Sequence, residues 1–500
     1  MKNDYDIVII GGDIAGYKAA LAANQLQAKV ALVQPQINYE FDYNYSIKKL
    51  SVIYHNYQEI SNLGIVKYTE NTKENIQENT NLEKQQNDYN FSYKKSISYA
   101  QNITDNFNQI NSLSHLATQG IDIIIGSGKF TTSGKLNSGK LNFAVNDRNL
   151  KSRTYILACG SYPYIPDIEG LQTTGYLTLA NIWRFLQTSN LPNNWVIIGG
   201  LPQSIEIAQT LARLGCTINL ILNDSSVLSR LEPEISQLLI AVLEANGVQV
   251  FNNVNVSQVR RIEDKKWVQV GNKAIETEEI LVATAQQPNI ENLNLAAIGV
   301  KWYPRRLVVN KKLQTTHQQI YACGDVIGGY HLPSFANYEA KIAVKNALFF
   351  NNHTVNYNCV PWIINTHPMV AKVGLTAQEA QTRYGKNEVL VFQNYYKTLT
   401  AAQINNEITG VCKLVTLKNG EILGCSILGT AAEELINLVA LAISQNIKIQ
   451  NLEKLTIVDP SFTEIISQIA EEWHQQKLHQ NHFLQEFLQS FYHFRRDWNI

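Results

Sequence analysis

The chain has 500 residues, 45% of them hydrophobic, and its 42 Lys+Arg balance 42 Asp+Glu. That length allows three or four packed units or two large ones, and the balanced charge argues against a polyanionic partner such as nucleic acid. Six scattered cysteines with neither CxxC nor CxxxxC spacing argue against a disulfide framework and a zinc site, so no metal is expected.

The opening "MKNDYDIVIIGG" carries Asp4 and Asp6 and runs straight into an apolar stretch, unlike a secretory signal. No apolar run approaches the roughly 20 residues of a membrane helix. The chain therefore reads as soluble and cytoplasmic. Asp6 to Ile10 is a strand, Tyr17 to Gln25 an alanine-rich helix and Lys29 to Val33 a second strand. Residues 63–112 are rich in Asn, Gln, Lys and Glu. The helical spacing of apolar residues from Tyr89 to Leu116 favours exposed helices over a disordered insert. "GIDIIIGSGKF" and "LKSRTYILACGSYPYIP" restore strands. "NNWVIIGGLPQSIEIAQTLARLGCTINLIL" then repeats the opening pattern of strand, glycine turn, helix and strand. From residue 353 the pattern changes to strands and two helices, with a hairpin signal at Asn419-Gly420. The chain closes on an aromatic, His-rich helix, "WHQQKLHQNHFLQEFLQSFYHFRRDW".

The two glycine turns suit a dinucleotide for a physical reason. A pyrophosphate sits well on a helix N-terminus, where free N–H groups and the dipole favour negative charge. One glycine makes the turn, a second admits the phosphates, a third lets helix and strand pack, and an acid at the next strand's end grips a ribose. The first turn keeps Gly11, Gly12 and Gly16 but puts Asp13 at the middle position and Gln34 at the ribose position. A carboxylate about 5 Å from a phosphate costs on the order of 1–3 kcal/mol, while Gln34 still hydrogen-bonds a hydroxyl. The second turn keeps Gly199 and Gly200 but has Leu201 and Ser204 at the other two positions, with Asn223 at the strand end. Either turn also reads as an ordinary doubly wound unit with no ligand.

Several stretches recur in the order and spacing of one family. They are "IVIIGGDIAGYKAA", "GIDIIIGSGKF", "YILACGSYPYIP", the second turn with Glu206, "EILVATAQQPN", "IYACGDVIGG" and "HPMVAKVGLTAQEA". Together they resemble the pyridine nucleotide–disulfide oxidoreductases, the family of dihydrolipoamide dehydrogenase and mercuric reductase. The resemblance implies an α/β fold with two Rossmann-like domains, for FAD and NAD(P), and a C-terminal α+β dimerisation domain. It implies an FAD domain at 1–165 and 286–352, an NAD(P) domain at 166–285, an interface domain at 353–470 and an aromatic tail at 471–500. It implies a homodimer, with FAD and either NADH or NADPH as cofactors. FAD contacts are implied at Gly11, Gly12, Gly16, Gln34, Gly128, Gly160, Ser161, Asp325, His331 and Leu332, and NAD(P) contacts at Gly199 and Gly200. Glu206 is similar to the family glutamate near the flavin that pairs with a lysine, for which Lys48 and Lys49 are candidates.

The family's redox step departs from this pattern. Its relatives reduce a disulfide beside the flavin, and a His–Glu pair handles the thiol's proton. Here no cysteine precedes Cys159, and ungapped counting puts Tyr43 and Lys48 at the two cysteine positions. The C-terminal HPTxxE pattern appears as "DPSFTE", with Asp459 for the histidine and Glu464 retained. An aspartate with an ordinary pKa near 3.9 is a poor acid–base group at neutral pH. The remaining cysteines read as small buried residues, and Cys412 and Cys425 fall diagonally across a hairpin. Two readings stand. One is an FAD-dependent NAD(P)H oxidoreductase, with Glu206 and Glu464 as its site acids, passing electrons directly to a quinone or other small acceptor. The other is a catalytically degenerate, flavin-binding or empty homodimer serving as scaffold or sensor. For the tail, Phe483, Phe487, Phe491 and Phe494 recur at helical spacing. They read as packing against the chain's own dimer, or as a partner or membrane-surface contact.

Overall fold

The computed structural model describes residues 4–35, 46–47, 49–54, 56, 92–133, 140–223, 226–329 and 331–498. The candidate cysteine positions Tyr43 and Lys48 and much of the 63–112 segment lie outside the described residues. Contacts divide the chain into two compact units: Met1–Ser226 with Leu243–Thr354, and Val227–Val242 with Val355–Ile500.

In the first unit, β1 (Tyr5–Ile10), β2 (Val30–Gln34), β3 (Asp122–Ile125), β4 (Gly128–Ser133), β5 (Lys140–Val145) and β6 (Arg148–Leu157) form one sheet in the order β3-β2-β1-β6-β5-β4. β1 runs parallel to both β2 and β6, with Ile10 level with Val33 and Leu157. The apolar runs "IVII" and "VALV" are buried throughout, as strands covered on both faces require. Helix α1 (Ile14–Gln25) joins β1 to β2. The segment expected to be helical carries α2 (Tyr93–Ile110) and α3 (Leu113–Thr118), capped by Ser92 and Ser112.

β7 (Ser161–Tyr164) leads to a second sheet. β8 (Leu177–Thr178), β9 (Asn194–Gly199), β10 (Thr217–Leu222) and β11 (Val248–Asn252) are completed by a later strand, in a parallel sheet centred on β9. Helix α4 (Pro202–Arg213) follows β9, with Pro202 at a first-turn position where its missing N–H costs nothing. Helix α5 (Pro233–Ala245) precedes β11. β12 (Val256–Ile262), β13 (Lys265–Val270) and β14 (Lys273–Thr277) form an antiparallel meander, and β15 (Glu279–Ala283) is the later strand beside β9. β16 (Ala285–Pro288) pairs with β7, and β17 (Trp302–Tyr303) pairs with β18 (Arg306–Leu307). β19 (Ile320–Ala322) then returns to the first sheet beside β6, with Ala322 level with Leu157. Helix α6 (Pro333–Leu348) packs on α1. Both contribute alanines to the core: Ala19, Ala20 and Ala23 from α1, and Ala336, Ala340, Ala343 and Ala347 from α6. The short side chains let the two backbones approach closely.

The second unit is built on an antiparallel sheet in the order β20-β21-β24-β23-β22: β20 (Trp362–Ile364), β21 (Met369–Gly374), β22 (Val389–Tyr395), β23 (Val411–Leu417) and β24 (Ile422–Gly429). The hairpin expected at Asn419-Gly420 joins β23 to β24. The expected helices include α7 (Ala377–Tyr384) and α8 (Ala432–Ser444), and the closing segment carries α9 (Glu464–Gln480) and α10 (His482–Asp497). The tail expected as one helix is thus two. Asn481 leaves the helical region at φ −101° and ψ 81°, and its side chain caps α10 by accepting from Leu484 N at 3.1 Å. Asparagine favours this role because its side chain replaces a missing helical partner.

A buried ionic network ties this unit together. Lys413 on β23 donates to Glu232 and to Glu234, each at 2.9 Å, and Glu232 accepts from Ala377 N at 2.6 Å. Burial alone would lower the Lys413 pKa, but its hydrogen bonds to these carboxylates hold it above the ordinary lysine value. Breaking such a pair leaves a charge stranded in the interior. Lys413→Met is expected to destabilise the fold by about 3 kcal/mol. Lys413→Met/Glu232→Met should recover much of that loss, as read from urea unfolding midpoints.

Candidate functional site

The site forms at the C-terminal ends of β1, β2, β6 and β19. These strands end level with one another, and that edge of a parallel sheet is where ligands dock. Gly11 has φ 107°, and a Cβ on it would lie 2.1 Å from the Ala158 carbonyl oxygen. A Cβ on Gly16 would lie 1.8 Å from the Gly11 oxygen. These two glycines are therefore required by the packing of α1's first turn on the sheet. Gly12 N donates to the Gln34 side-chain oxygen, and Gln34 is buried at the end of β2. The residue at the ribose position thus holds the turn itself.

Asp13 is the N-cap of α1 by position, yet its side chain makes no capping hydrogen bond. It reaches instead toward the β6–β7 turn: a Cβ on Gly160, which has φ 68°, would lie 2.4 Å from Asp13 Oδ2. The next residue, Ser161, donates from Oγ to Asp325 Oδ2 at 3.2 Å. His331 Nδ1 lies 3.6 Å from that same oxygen, outside hydrogen-bonding distance. Nδ1 is buried and has no hydrogen-bond partner among the described residues. Gln203 Nε2 donates to the His331 carbonyl at 3.2 Å, while the buried Gln203 Oε1 is likewise unpartnered among the described residues. Buried polar atoms without partners are rare and costly, so this cluster is arranged for a further polar group. Leu332 is buried and opens α6, followed by Pro333.

Two residues outside the sequence reading shape this corner. Glu339 on α6 is buried and accepts from Gly324 N at 2.7 Å, holding the turn that carries Asp325. Gln203 carries the contact to His331. An acid among the buried alanines of "ANYEAKIA" is the trace Glu339 leaves in the sequence. Gly128 has a structural explanation of its own: a Cβ there would lie 2.4 Å from the Phe143 ring.

The second turn is more enclosed. A Cβ on Gly199 would meet the Ala283 oxygen at 2.1 Å, and one on Gly200 would meet Ser226 Cα at 2.6 Å. Ser204 is fully buried and donates to the Leu201 carbonyl at 2.6 Å. Glu206 is buried on α4. Lys49, one of its two candidate partners, lies over the Tyr99 ring at 5.5 Å, and Lys48 lies outside the described residues. In the second unit, Glu464 opens α9. Its Oε1 accepts from Gln468 at 2.9 Å, while its buried Oε2 has no partner among the described residues. Asp459 is exposed.

All six cysteines are free. Desolvation, with the Asp13 charge adding to it, pushes the partly exposed Cys159 thiol up to about 12. Burial pushes Cys216 up to about 12 and Cys323 well above the ordinary thiol value. Cys425 is raised well above it by its hydrogen bond to Cys412 and by burial. Cys412 and Cys425 sit diagonally, since Cys412 is level with Ile427 and Leu414 with Cys425, and their sulfurs are 3.8 Å apart. Among the described residues no group of three or more His, Cys, Asp or Glu side chains is placed to hold a metal ion.

A family model described as "Pyridine nucleotide-disulphide oxidoreductase" matches residues 5–340, and the dimerisation domain of the same family matches residues 360–470. The chain belongs to that family. Pyridine nucleotide-disulphide oxidoreductases bind FAD and NAD(P)H, and the dimerisation domain suggests a homodimer. The chain is 28% identical over 463 residues to a mercuric reductase of Bacillus cereus, covering 90% of this chain and 68% of that one. It is 28% identical over 464 residues to a dihydrolipoyl dehydrogenase of Bacillus subtilis, covering 88% and 92%. Among solved structures, LpdA from Mycobacterium tuberculosis has the same fold, with a TM-score of 0.79 at 20% identity over 93% of this chain and 99% of that one. The HOCl-induced flavoprotein disulfide reductase RclA from Escherichia coli gives 0.75 at 20% identity, again over 93% and 99%. No described helix is long and apolar enough to cross a membrane.

Proposed function

We propose that this member is an FAD-dependent NAD(P)H oxidoreductase that works without disulfide chemistry and delivers electrons directly to a quinone or another small acceptor. The observation that carries this reading is the Ser161–Asp325–His331 cluster beside the Gly11–Gly16 turn, with polar atoms of His331 and Gln203 left open toward it. These residues fit a flavin dinucleotide. The turn presents α1's free N–H groups, Gln34 stands at the ribose position, and Asp325 and Ser161 offer hydrogen bonds to a polyol chain. Asp13 works against the fit by setting an acid beside the phosphates. When bound, FAD supplies a two-electron relay that takes the equivalent of a hydride from NAD(P)H and reduces an acceptor such as a quinone to its quinol.

The chain's own residues then have defined tasks. Gly199, Gly200 and the α4 N-terminus would hold the second dinucleotide, with Glu206 facing the flavin from the same helix. Glu339 keeps the Asp325 turn in place by accepting from Gly324 N. The disulfide-free part of the reading rests on the absence of any cysteine before Cys159 and on desolvated thiols. A thiolate, not a thiol, attacks a disulfide, and these thiols stay protonated at neutral pH. The crowded second turn favours the alternative, a catalytically degenerate homodimer acting as scaffold or sensor.

Asp13→Gly removes a charge at the phosphate position and sacrifices no side-chain cap. Its FAD dissociation constant should fall about tenfold, equivalent to about 1.4 kcal/mol, in a fluorescence titration. No tightening would remove the role given to position 13. For catalysis, Leu201→Gly/Ser204→Gly opens the second turn. Anaerobic flavin bleaching by NADH or NADPH should be slow in the parent and faster in this variant. If flavin in the variant stays oxidised with either nucleotide in excess, the scaffold reading takes its place.

A further inference from the structure

The C-terminal helix α10, 16 residues long, lies wholly beyond the span matched by the dimerisation domain, and none of its residues is buried. Its inner side leans on α9 through half-buried Leu484 and Leu488 and a hydrogen bond from Gln485 Nε2 to the Leu478 carbonyl at 3.1 Å. At about 100° per residue, Phe483, Phe487, Phe491, Phe494 and Trp498 fall on one neighbouring face. They are 81%, 56%, 43%, 58% and 60% exposed. Phe487 stacks on Phe491 and Phe494 leans on Trp498, so the face is continuous. The opposite face carries His482, Glu486, Gln489, His493 and Arg496.

We propose that this aromatic face is covered by α10 of a second copy of the chain, in an antiparallel pair about a twofold axis near Ser490 and Phe491. Area supports this occupant. The open face amounts to roughly 600 Å² of aromatic surface, at the upper end of the largest patch on a typical monomer and approaching the about 800 Å² each partner contributes to a standard interface. Continuity supports it as well. α9 begins at Glu464, inside the matched dimerisation domain, and α10 follows directly. The sequence is also self-complementary in that register. Phe483 comes level with Trp498 of the partner copy, and Phe487 with Phe494. The antiparallel setting opposes the two helix dipoles, and a twofold contact uses the same patch on both copies. The contact is independent of what the nucleotide sites bind.

The test uses the full chain. Phe491→Cys places two thiols beside the proposed axis, so mild oxidation should give a covalent dimer that the parent does not form. Gln489→Cys, on the opposite face, should not cross-link. Phe487→Glu/Phe494→Glu changes only exposed side chains, so circular dichroism should stay that of the parent. Its dimer dissociation constant, measured by sedimentation, should rise about tenfold or more. Absence of the Phe491→Cys cross-link, or equal cross-linking by Gln489→Cys, overturns the proposal. An unchanged dissociation constant in the double-glutamate variant overturns it too. Should the chain instead float with vesicles of phosphatidylcholine and phosphatidylglycerol through this face, with no cross-link, lipid and not a second copy is the occupant.

Discussion

A carbonyl oxygen, that of Ala158, lies where a side chain on Gly11 would begin, and the Gly11 oxygen lies where one on Gly16 would begin. These two contacts set how closely α1 meets the sheet. Because α1 is seated there, its N-terminus opens onto the ends of β1 and β6, with its positive end toward the cleft. The alanine contact between α1 and α6 continues the same close approach and brings α6's first turn to the Asp325 loop. Gly324 shows the coupling directly: it has φ 76°, and a Cβ there would lie 2.6 Å from the Ala15 methyl. Any residue that pushes α1 outward would therefore move the turn, the Asp325 loop and the His331 segment together.

Charge in this corner is arranged around that frame. Glu339 accepts a hydrogen bond from a backbone N–H, and Asp325 accepts one from the Ser161 hydroxyl. Asp13 extends toward Gly160 across the mouth of the turn and makes no cap bond. The positive potential of a helix N-terminus offsets part of a carboxylate's charge, which explains how an acid is tolerated at that position. It does not make the acid favourable to a phosphate. On the proposed reading the dinucleotide site has reduced anion affinity, and its remaining hold would rest on Gln34, Ser161 and Asp325.

Much of this frame is legible in the sequence because it rests on local chemistry. The glycine turns, the buried parallel strands, the "GD" turn and the Asn419-Gly420 hairpin each follow from residues a few positions apart. The rest depends on contacts distant in the chain. Glu339 lies 15 residues from its partner Gly324, and Gln203 lies 128 from His331, so neither role shows in a motif. Asn481 broke a helix that periodicity alone would continue, since asparagine is tolerated in a helix and becomes a cap only when its side chain finds the next helix's N–H. Gly128 carries the opposite lesson. Its place in a motif implies a cofactor contact, and the Phe143 ring separately accounts for the missing side chain, so the sequence motif alone does not distinguish the two reasons for a glycine.

The central claim is that the electron path of this family member has no thiol in it. An anaerobic titration of the flavin-loaded protein with dithionite tests this without any assumption about substrate. A flavin with a redox-active disulfide takes up about four electrons, and a flavin alone takes up about two. The account predicts full bleaching at about two electrons per flavin, with free thiols unchanged before and after reduction. Uptake of about four electrons per flavin, with new thiols appearing, would contradict it.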